Sequence, residues 1–457
     1  MSDLFGLWNH QSRAVDEIET DWKSGLKSVC LQMPTGSGKS RVIRQIVDNH
    51  YGSKKVIYLI AHRGTLVKQL SNEISEAGIK HGIISPGSPM LKYRVQVCSM
   101  QTLVNRLEKL DEADIIIIDE CHRVLCGSYI KIIKYWPDAN ILGVTATPTR
   151  LSGEPLSDVF QKLITVTDIP TLIEEKKLSP FDYYAPETID ISGAKKQNGD
   201  FKIGDIAERV DKKVICGSAV AHYKKLAEGR PGIVCCANID HAEHVAEEFK
   251  INGYRAVAVH SKMNGVEDAI SGLKNGTIDI LCQCDLLSEG VDIKGAEVLI
   301  MLRHTQSIVI FLQQVGRVLR YQENKKAIIL DHVGNWERHG LPDDYREWSL
   351  SGKIKSDVSE KKRCPDCLRP VNKSERVCPY CGHSWVESIE RGTRELPEQI
   401  EGELVKITDA RKLKNSAVLA IAREAHTLAQ AVNIGKNHGI SSKYAYFIWT
   451  KMLKKSA

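Results

Sequence analysis

The sequence predicts an α/β protein: two tandem parallel-sheet domains, then a small cysteine-paired module and a helical C-terminal tail. Three observations carry this. Short β-branched runs alternate with longer amphipathic stretches in two successive series, and many runs are continuously apolar, as suits strands covered on both faces by helices. Two C-x-x-C pairs, ten residues apart, lie near the C-terminus. The tail carries apolar residues at helical spacing, as in Ala417–Ala425. With 457 residues and roughly 100–200 residues per domain, the chain has room for two to four domains.

In order, the first series of expected strands is Ser28–Met33, Lys55–Ile60, Val95–Cys98, Ile115–Asp119 and Ile141–Thr145. The second is Gly232–Cys236, Arg255–Val259, Ile278–Gln283, Val298–Leu302 and Lys326–Leu330. The domains follow as 1–165, a connector 166–213 holding Pro170, Pro180 and Pro186, a second domain 214–350, the cysteine module 360–386, and a basic helical region 404–457.

Composition is 42% hydrophobic and 26% charged, which excludes a disordered or fibrous chain. The longest apolar runs, such as Ile115–Ile118, fall far short of the roughly 20 residues of a membrane span, so no membrane partner is expected. The opening MSDLFGLWNHQ has no basic segment followed by an apolar one, and a cytoplasmic protein is expected. Net charge is +6, but residues 351–457 hold 20 of the 63 Lys and Arg against 12 of the 57 Asp and Glu. The positive excess therefore sits wholly in the last quarter, where it can attract phosphate backbones or simply form a solvated basic surface. The 13 cysteines are an odd number, nine of them scattered, which argues for reduced thiols.

MPTGSGKS (Met33–Ser40) follows an expected strand and precedes an expected helix. Such a loop cradles phosphates with backbone N–H groups and a helix N-terminus. Thr35, Gly36, Ser37 and Gly38 form the cradle, Lys39 reaches the β- and γ-phosphates, and Ser40 takes Mg²⁺. Met33 departs from the usual first glycine; the bland alternative is a glycine turn that merely contains a lysine. IIIIDECH (Ile115–His122) places two carboxylates at the C-terminal end of a buried strand, where ligands bind in open α/β sheets. Asp119 can hold Mg²⁺, and Glu120 can orient and deprotonate an attacking water.

From Leu7 to Arg320, the motif order resembles that of superfamily 2 helicases and translocases, with a DECH version of the DEAD/DEAH box. Gln11 in LWNHQ resembles the glutamine that reads adenine. AHRGTLVKQ (Ala61–Gln69), SMQT (Ser99–Thr102), TATP (Thr145–Pro148), IVCCANIDHA (Ile233–Ala242), LLSEGVDIK (Leu286–Lys294) and QQVGRVLR (Gln313–Arg320) resemble motifs Ia, Ib, III, IV, V and VI. The resemblance implies two RecA-like domains around an ATP cleft lined also by Gly290 and Asp292. It implies that Arg317 and Arg320, one helical face apart by three residues, enter from the second domain as arginine fingers. It also implies that His62, Arg63, Gln101 and Thr102, with His260 and Ser261, face nucleic acid, and that His122 links the ATP site to motif VI. Contacts of this kind position a strand without reading its sequence.

The pairs CPDC (Cys364, Cys367) and CPYC (Cys378, Cys381) can set four thiolates around Zn²⁺, a closed structural site. A redox dithiol does not account for two pairs. A superfamily 2 motor followed by this zinc-binding module resembles the RadD-like DNA-repair helicases, as do SPFDYYAP, NGDF and the tail Ala420–Leu453. The shorter chain suits a phage-encoded relative in the manner of UvsW-type branch-migration helicases. The resemblance implies an ATP-, Mg²⁺- and Zn²⁺-dependent DNA helicase acting on branched DNA, with single-strand-binding or recombination proteins as further partners. An RNA helicase and a translocase subunit of a restriction-type system are the alternatives. A non-enzymatic zinc protein is excluded by the complete set Lys39, Asp119, Glu120, Arg317 and Arg320.

Overall fold

The protein was analysed as a computed structural model, which describes residues 6–149, 154–186, 218–260, 265–284, 295–305 and 307–352. It also describes short pieces at 196–197, 200–201, 214–216, 355–356, 361–363, 370–372, 398–400 and 404–406, and Met263, Ile293, Gln430 and Ile434.

The first domain opens with α1 (Asn9–Lys23), which buries Ala14, Val15, Ile18 and Trp22 at helical spacing. There follow β1 (Ser28–Gln32), α2 (Lys39–Tyr51), β2 (Ile57–Ala61), α3 (Gly64–Glu76), β3 (Gly82–Ile84), β4 (Val95–Ser99) and α4 (Met100–Leu103). Next come β5 (Ile115–Asp119), α5 (Gly127–Tyr135), β6 (Asn140–Thr145) and β7 (Lys162–Thr165). The sheet is parallel, in the order β3-β4-β2-β5-β6-β1-β7. Its strands alternate between two cores. Leu31, Leu59, Val97 and Ile117 join the side covered by α1, α2 and α3. Cys30, Tyr58, Ile60, Ile116 and Ile118 join the side holding Tyr129 and Ile132 of α5. Burial on both faces is why these strands read as unbroken apolar runs.

After α6 (Ile169–Glu174), capped by Asp168, whose carboxylate accepts from Thr171 N at 2.9 Å, the chain enters the second domain through β8 (Phe181–Pro186). Two short strands, β9 (Lys196–Gln197) and β10 (Asp200–Phe201), pair antiparallel. The series continues with β11 (Val214–Cys216), α7 (Ala219–Ala227), β12 (Gly232–Cys235), α8 (Ile239–Ile251), β13 (Ala256–Val259), α9 (Val266–Lys274) and β14 (Ile280–Gln283). Then come β15 (Val298–Met301), α10 (Ile308–Val318), β16 (Ala327–Asp331) and α11 (Asn335–His339). Short strands β17 (Arg346–Glu347), β18 (Lys355–Ser356), β19 (Lys361–Arg363), β20 (Pro370–Asn372), β21 (Glu398–Ile400) and β22 (Leu404–Lys406) complete the described elements. The second sheet runs β13-β14-β12-β15-β16-β8-β22, parallel except for β22.

Two expectations are corrected. Residues 181–186, read as connector, are a strand of the second sheet, paired with β16 in parallel from Phe181↔Ala327 to Tyr184↔Leu330. Its flanking prolines suggested a break, but they stand at its two ends, where the missing N–H costs little. Residues 404–406, read as the start of a helix, form a strand that pairs antiparallel with β8, with Leu404 buried. Cys364, Cys367, Cys378 and Cys381 and most of 407–457 lie outside the described residues; β19 and β20 pair antiparallel on either side of the first cysteine pair. Among the described residues no helix is long and apolar enough to cross a membrane.

Candidate nucleotide cleft and nucleic-acid face

The loop between β1 and α2 turns through two left-handed glycines, Gly36 at φ 85° and Gly38 at φ 84°, a conformation side chains disfavour. A Cβ on Gly38 would lie 2.2 Å from Gln11 Nε2, so the loop is packed down on α1. Gln11 is fully buried. Its Nε2 donates to the Ser37 carbonyl at 2.9 Å and its Oε1 accepts from Trp8 N at 3.0 Å. His10 Nε2 lies 3.0 Å from the same carbonyl. Gln11, the residue expected to read adenine, also braces the loop itself. The Ser37 hydroxyl donates to the Pro34 carbonyl at 2.7 Å, and Thr35, Gly36 and Ser40 are partly exposed.

Lys39 opens α2, and its Nζ donates to the carbonyls of Met33 (3.2 Å) and Pro34 (3.3 Å). Burial lowers its proton affinity, while the charges of Glu120 and Asp119 raise it. At the end of β5, Glu120 takes a left-handed conformation (φ 50°), and its N–H donates to Asp119 Oδ1 at 3.0 Å. Burial and the neighbouring Glu120 charge push Asp119 up to about 7, against the pull of Lys39. For Glu120, burial works upward, but His122, Lys39 and Arg317 outweigh it and hold the carboxyl at about 2. Two adjacent, mostly buried carboxyls with opposed shifts, beside a helix N-terminus and Ser40, suit a divalent cation, whose charge relieves their repulsion. Ser40 and Asp119 are the residues that would hold Mg²⁺.

The turn is wired to TATP. His122 Nδ1 lies 3.4 Å from Glu120 Oε2 and 3.2 Å from Thr145 Oγ1. Thr145 Oγ1 donates to the Thr147 carbonyl at 3.2 Å, and Gln32 Nε2 donates to the Ala146 carbonyl at 2.9 Å. His122, expected to link the ATP site to motif VI, here links it to motif III.

α10 completes the cleft from the second domain. Ser307 caps it by accepting from Ile310 N at 3.4 Å. Gln313, Gln314, Gly316 and Arg317 are all buried, which marks this helix as an interface. Gly316 meets the phosphate loop directly: a Cβ there would stand 2.4 Å from Thr35 Cβ. Burial lowers the proton affinity of Arg317, which the Glu120 charge offsets, and burial does the same to Arg320. Both guanidiniums also act electrostatically on Lys39. The structure thus brings Lys39, Asp119, Glu120, Arg317 and Arg320 together across two domains. Gly290 and Asp292 lie outside the described residues.

Arg63 caps α3 beyond β2, and Gln101 and Thr102 lie in α4 beyond β4. Because β2 and β4 are paired neighbours, the two groups share one rim of the first sheet. Gln101 Nε2 donates to the His62 carbonyl at 3.3 Å, tying the two loops together. His62 itself is buried, and burial with Arg123 and Arg63 lowers it to about 4. It is therefore held neutral near pH 7, so a contact from it to nucleic acid would be a hydrogen bond rather than an ion pair. His260 follows β13 at the edge of the second sheet, its Nε2 3.8 Å from Glu243 Oε1; Ser261 lies outside the described residues. Sequence patterns do not announce the meeting of Thr35 with Gly316, nor Lys177, whose Nζ lies 4.7 Å over the Trp8 ring; no spacing signal marks either.

A two-domain cleft with a phosphate loop and acidic turn on one side and two arginines on the other defines a nucleotide-driven motor. The family model described as type III restriction enzyme, res subunit, matches residues 4–150, and that of the helicase conserved C-terminal domain matches 214–322. The chain is 34% identical to a 51.5 kDa protein of a Lactococcus phage (isolate 7-9), over 82% of this chain and 82% of that one. It is 24% identical to the Escherichia coli type I restriction enzyme EcoAI endonuclease subunit, over 69% of this chain and 44% of that one. A Vibrio vulnificus fragment assigned as the HsdR subunit of a type I restriction enzyme shares the fold at TM-score 0.57 and 20% identity, covering 76% of this chain and 69% of that one. The chain belongs to the superfamily 2 helicases and is a nucleic-acid-dependent ATPase.

Proposed function

We propose that the protein is an ATP-dependent DNA helicase or translocase that remodels or unwinds branched DNA, forks and junctions, in recombination, repair or replication. The observation that carries it is the cleft, in which α10 sets Arg317 toward Glu120 and Lys39. Arg320, two residues past the helix end and bridged to Leu178 rather than on the same helical face, acts on Lys39. The phosphate loop and Lys39 bind the triphosphate. Bound Mg²⁺ neutralises phosphate charge. Glu120, ionised at neutral pH, accepts the proton of the attacking water, and the two arginines stabilise the charge spread over the transferring phosphoryl group. Because the fingers belong to the second domain, hydrolysis and domain closure are one event. The rim holding Arg63, Gln101 and Thr102, with His260 across the cleft, tracks the backbone of one strand.

DNA rather than RNA is supported by the res-subunit match over the first domain and by the restriction-enzyme relative. The cysteine pairs and basic tail add a second DNA-binding surface, with Zn²⁺ on Cys364, Cys367, Cys378 and Cys381 holding the module's fold. The same relative favours a second reading, a translocase subunit of a restriction-type system. Unwinding of forks, four-way junctions and tailed duplexes, with ATPase activity measured on DNA and on RNA, tests the proposal. Stimulation by RNA alone refutes it, and ATP-driven tracking on plain duplex without strand separation favours the second reading.

A further inference from the structure

Residues 341–352, with the paired 355–356, belong to neither motor sheet, yet residues 348–352 touch both domains. The turn after α11 is fixed by one guanidinium. Arg346 Nη2 donates to the carbonyls of His339 (2.7 Å) and Leu341 (2.8 Å), and its Nη1 donates to those of Pro342 (3.0 Å) and Asp344 (2.9 Å). Four carbonyls on one planar fork leave the turn little freedom. It is the root of a hairpin in which β17 and β18 pair antiparallel, Arg346↔Ser356 and Glu347↔Lys355.

Trp348 packs on the core of the second domain, the cluster that holds Leu341, Phe311 and Val315. Two residues on, Leu350 packs on the core of the first, the cluster that holds Leu156 and Phe160. Two hydrogen bonds seal the crossing: Ser157 N to the Leu350 carbonyl at 3.2 Å, and Thr149 Oγ1 to the Gly352 carbonyl at 3.3 Å. Thr149 directly follows Thr145–Pro148, the segment wired through His122 to Glu120. Between the hairpin and the domains lies a cavity of about 670 Å³ lined by Thr35, Thr167, Gly316, Leu319, Asp344 and Trp348, so the hairpin stands directly behind the place where Thr35 meets Gly316.

We propose that this hairpin is a clasp that positions the two motor domains for hydrolysis: by gripping the first domain beside Thr149 while rooted beside α10, it keeps Arg317 facing Glu120 before nucleic acid arrives. The inference rests on the helicase reading of the cleft. Domains joined by a connector move relative to each other unless an interface holds them. One packed leucine and two hydrogen bonds favour the closed arrangement by on the order of tenfold to a hundredfold in population. Nucleic acid lying across both domains closes the cleft by its own interactions and makes the clasp redundant. Leu350 and Thr149 are therefore positioning residues whose effect depends on whether nucleic acid is present.

The test is steady-state ATP hydrolysis by the full chain carrying Leu350→Ala, Leu350→Met or Thr149→Val, with no nucleic acid and with saturating single-stranded DNA. Leu350→Ala is expected to lower kcat about tenfold without DNA, with KM for ATP within about twofold, because fingers act on the transition state. With saturating DNA it is expected to approach wild type. Leu350→Met restores most of the activity, and Thr149→Val shows the same pattern more weakly without touching the core. Equal reductions with and without DNA, or no reduction in either, overturn the clasp. A wild type indifferent to both DNA and RNA sinks the helicase reading instead; the clasp then stands or falls on unstimulated turnover alone.

Discussion

Gly316→Ala is the sharpest single test of the closed cleft. The added Cβ would stand 2.4 Å from Thr35 Cβ and 2.6 Å from Thr35 Cγ2, where ordinary van der Waals separation is about 3.4–4 Å. Rotation of Thr35 can move its methyl but not its Cβ, which the phosphate loop fixes. The two domains must therefore separate by about 1 Å at this point, and Arg317, the next residue along α10, retreats with the helix. A misplacement of about 1 Å at a reacting centre costs on the order of a hundredfold in rate. Alanine is also a better helix former than glycine by about 1 kcal/mol, so the second domain should not lose stability. The expected outcome is a kcat for ATP hydrolysis about a hundredfold lower at saturating DNA, nucleotide affinity within a few-fold of wild type, and an unchanged or higher melting temperature. A kcat within about threefold of wild type would show that α10 does not press on the phosphate loop during hydrolysis, and the finger geometry would fall with it.

Lys39→Ala should abolish hydrolysis while leaving the fold, and Glu120→Gln should bind ATP but turn it over very slowly; brisk turnover in radioactive phosphate-release assays by either would displace that residue from its role. Arg317→Ala and Arg320→Ala should reduce kcat more than nucleotide affinity, and weakened affinity alone would make them ground-state ligands. His62 is held at about 4 in the fold against 6.5 unfolded, and His241, which is likewise buried, also sits at about 4. Above pH 6.5 both states are neutral and this stability is fully present. Between 6.5 and 4 the unfolded chain takes protons that the folded one refuses, so stability falls with pH, by on the order of 2 kcal/mol per histidine after allowing for screening by water. Urea unfolding at pH 7 and 4.5 should show that drop, smaller in His62→Gln; an identical drop in the variant refutes the assignment. A chain ending at Lys406 should keep the melting temperature of the whole protein while binding forked DNA more weakly, with the salt slope of log K shallower by roughly 0.9 for each phosphate no longer neutralised. A chain ending at Ser356 should melt lower, because it also lacks β22 and bares β8. Equal affinities and slopes for the first and the full chain would remove the tail from the DNA interface.

The central strands were legible to within a residue or two because both faces of each sheet are buried, which writes Ile115–Ile118 and Val298–Met301 as continuous apolar runs. Three strands were not: Gly82–Ile84 and Leu404–Lys406, at sheet edges, have three residues each, too few for a period, and Phe181–Pro186 mixes a buried tyrosine with an aspartate between two prolines. The phosphate loop and DECH turn were legible because their chemistry demands fixed residue types at fixed spacing. What escaped is everything that depends on which surfaces meet. Gly316 looks from the sequence like a helix weakness; only the facing Thr35 explains it. Gln11 braces Ser37 from α1, and His62 has its proton affinity lowered by burial and then by Arg123, sixty-one positions away.

The antiparallel strand at the edge of the second sheet bears on the mechanics of the carboxyl-terminal region. β22 is laid against β8 from Leu404↔Pro186 to Lys406↔Tyr184, with Leu404 buried in the second domain. A pull on the chain beyond Lys406 is therefore borne first by the β8 ladder and passes from there into the neighbouring β16. Force applied to the carboxyl end is felt by the second motor domain before it is felt by the first.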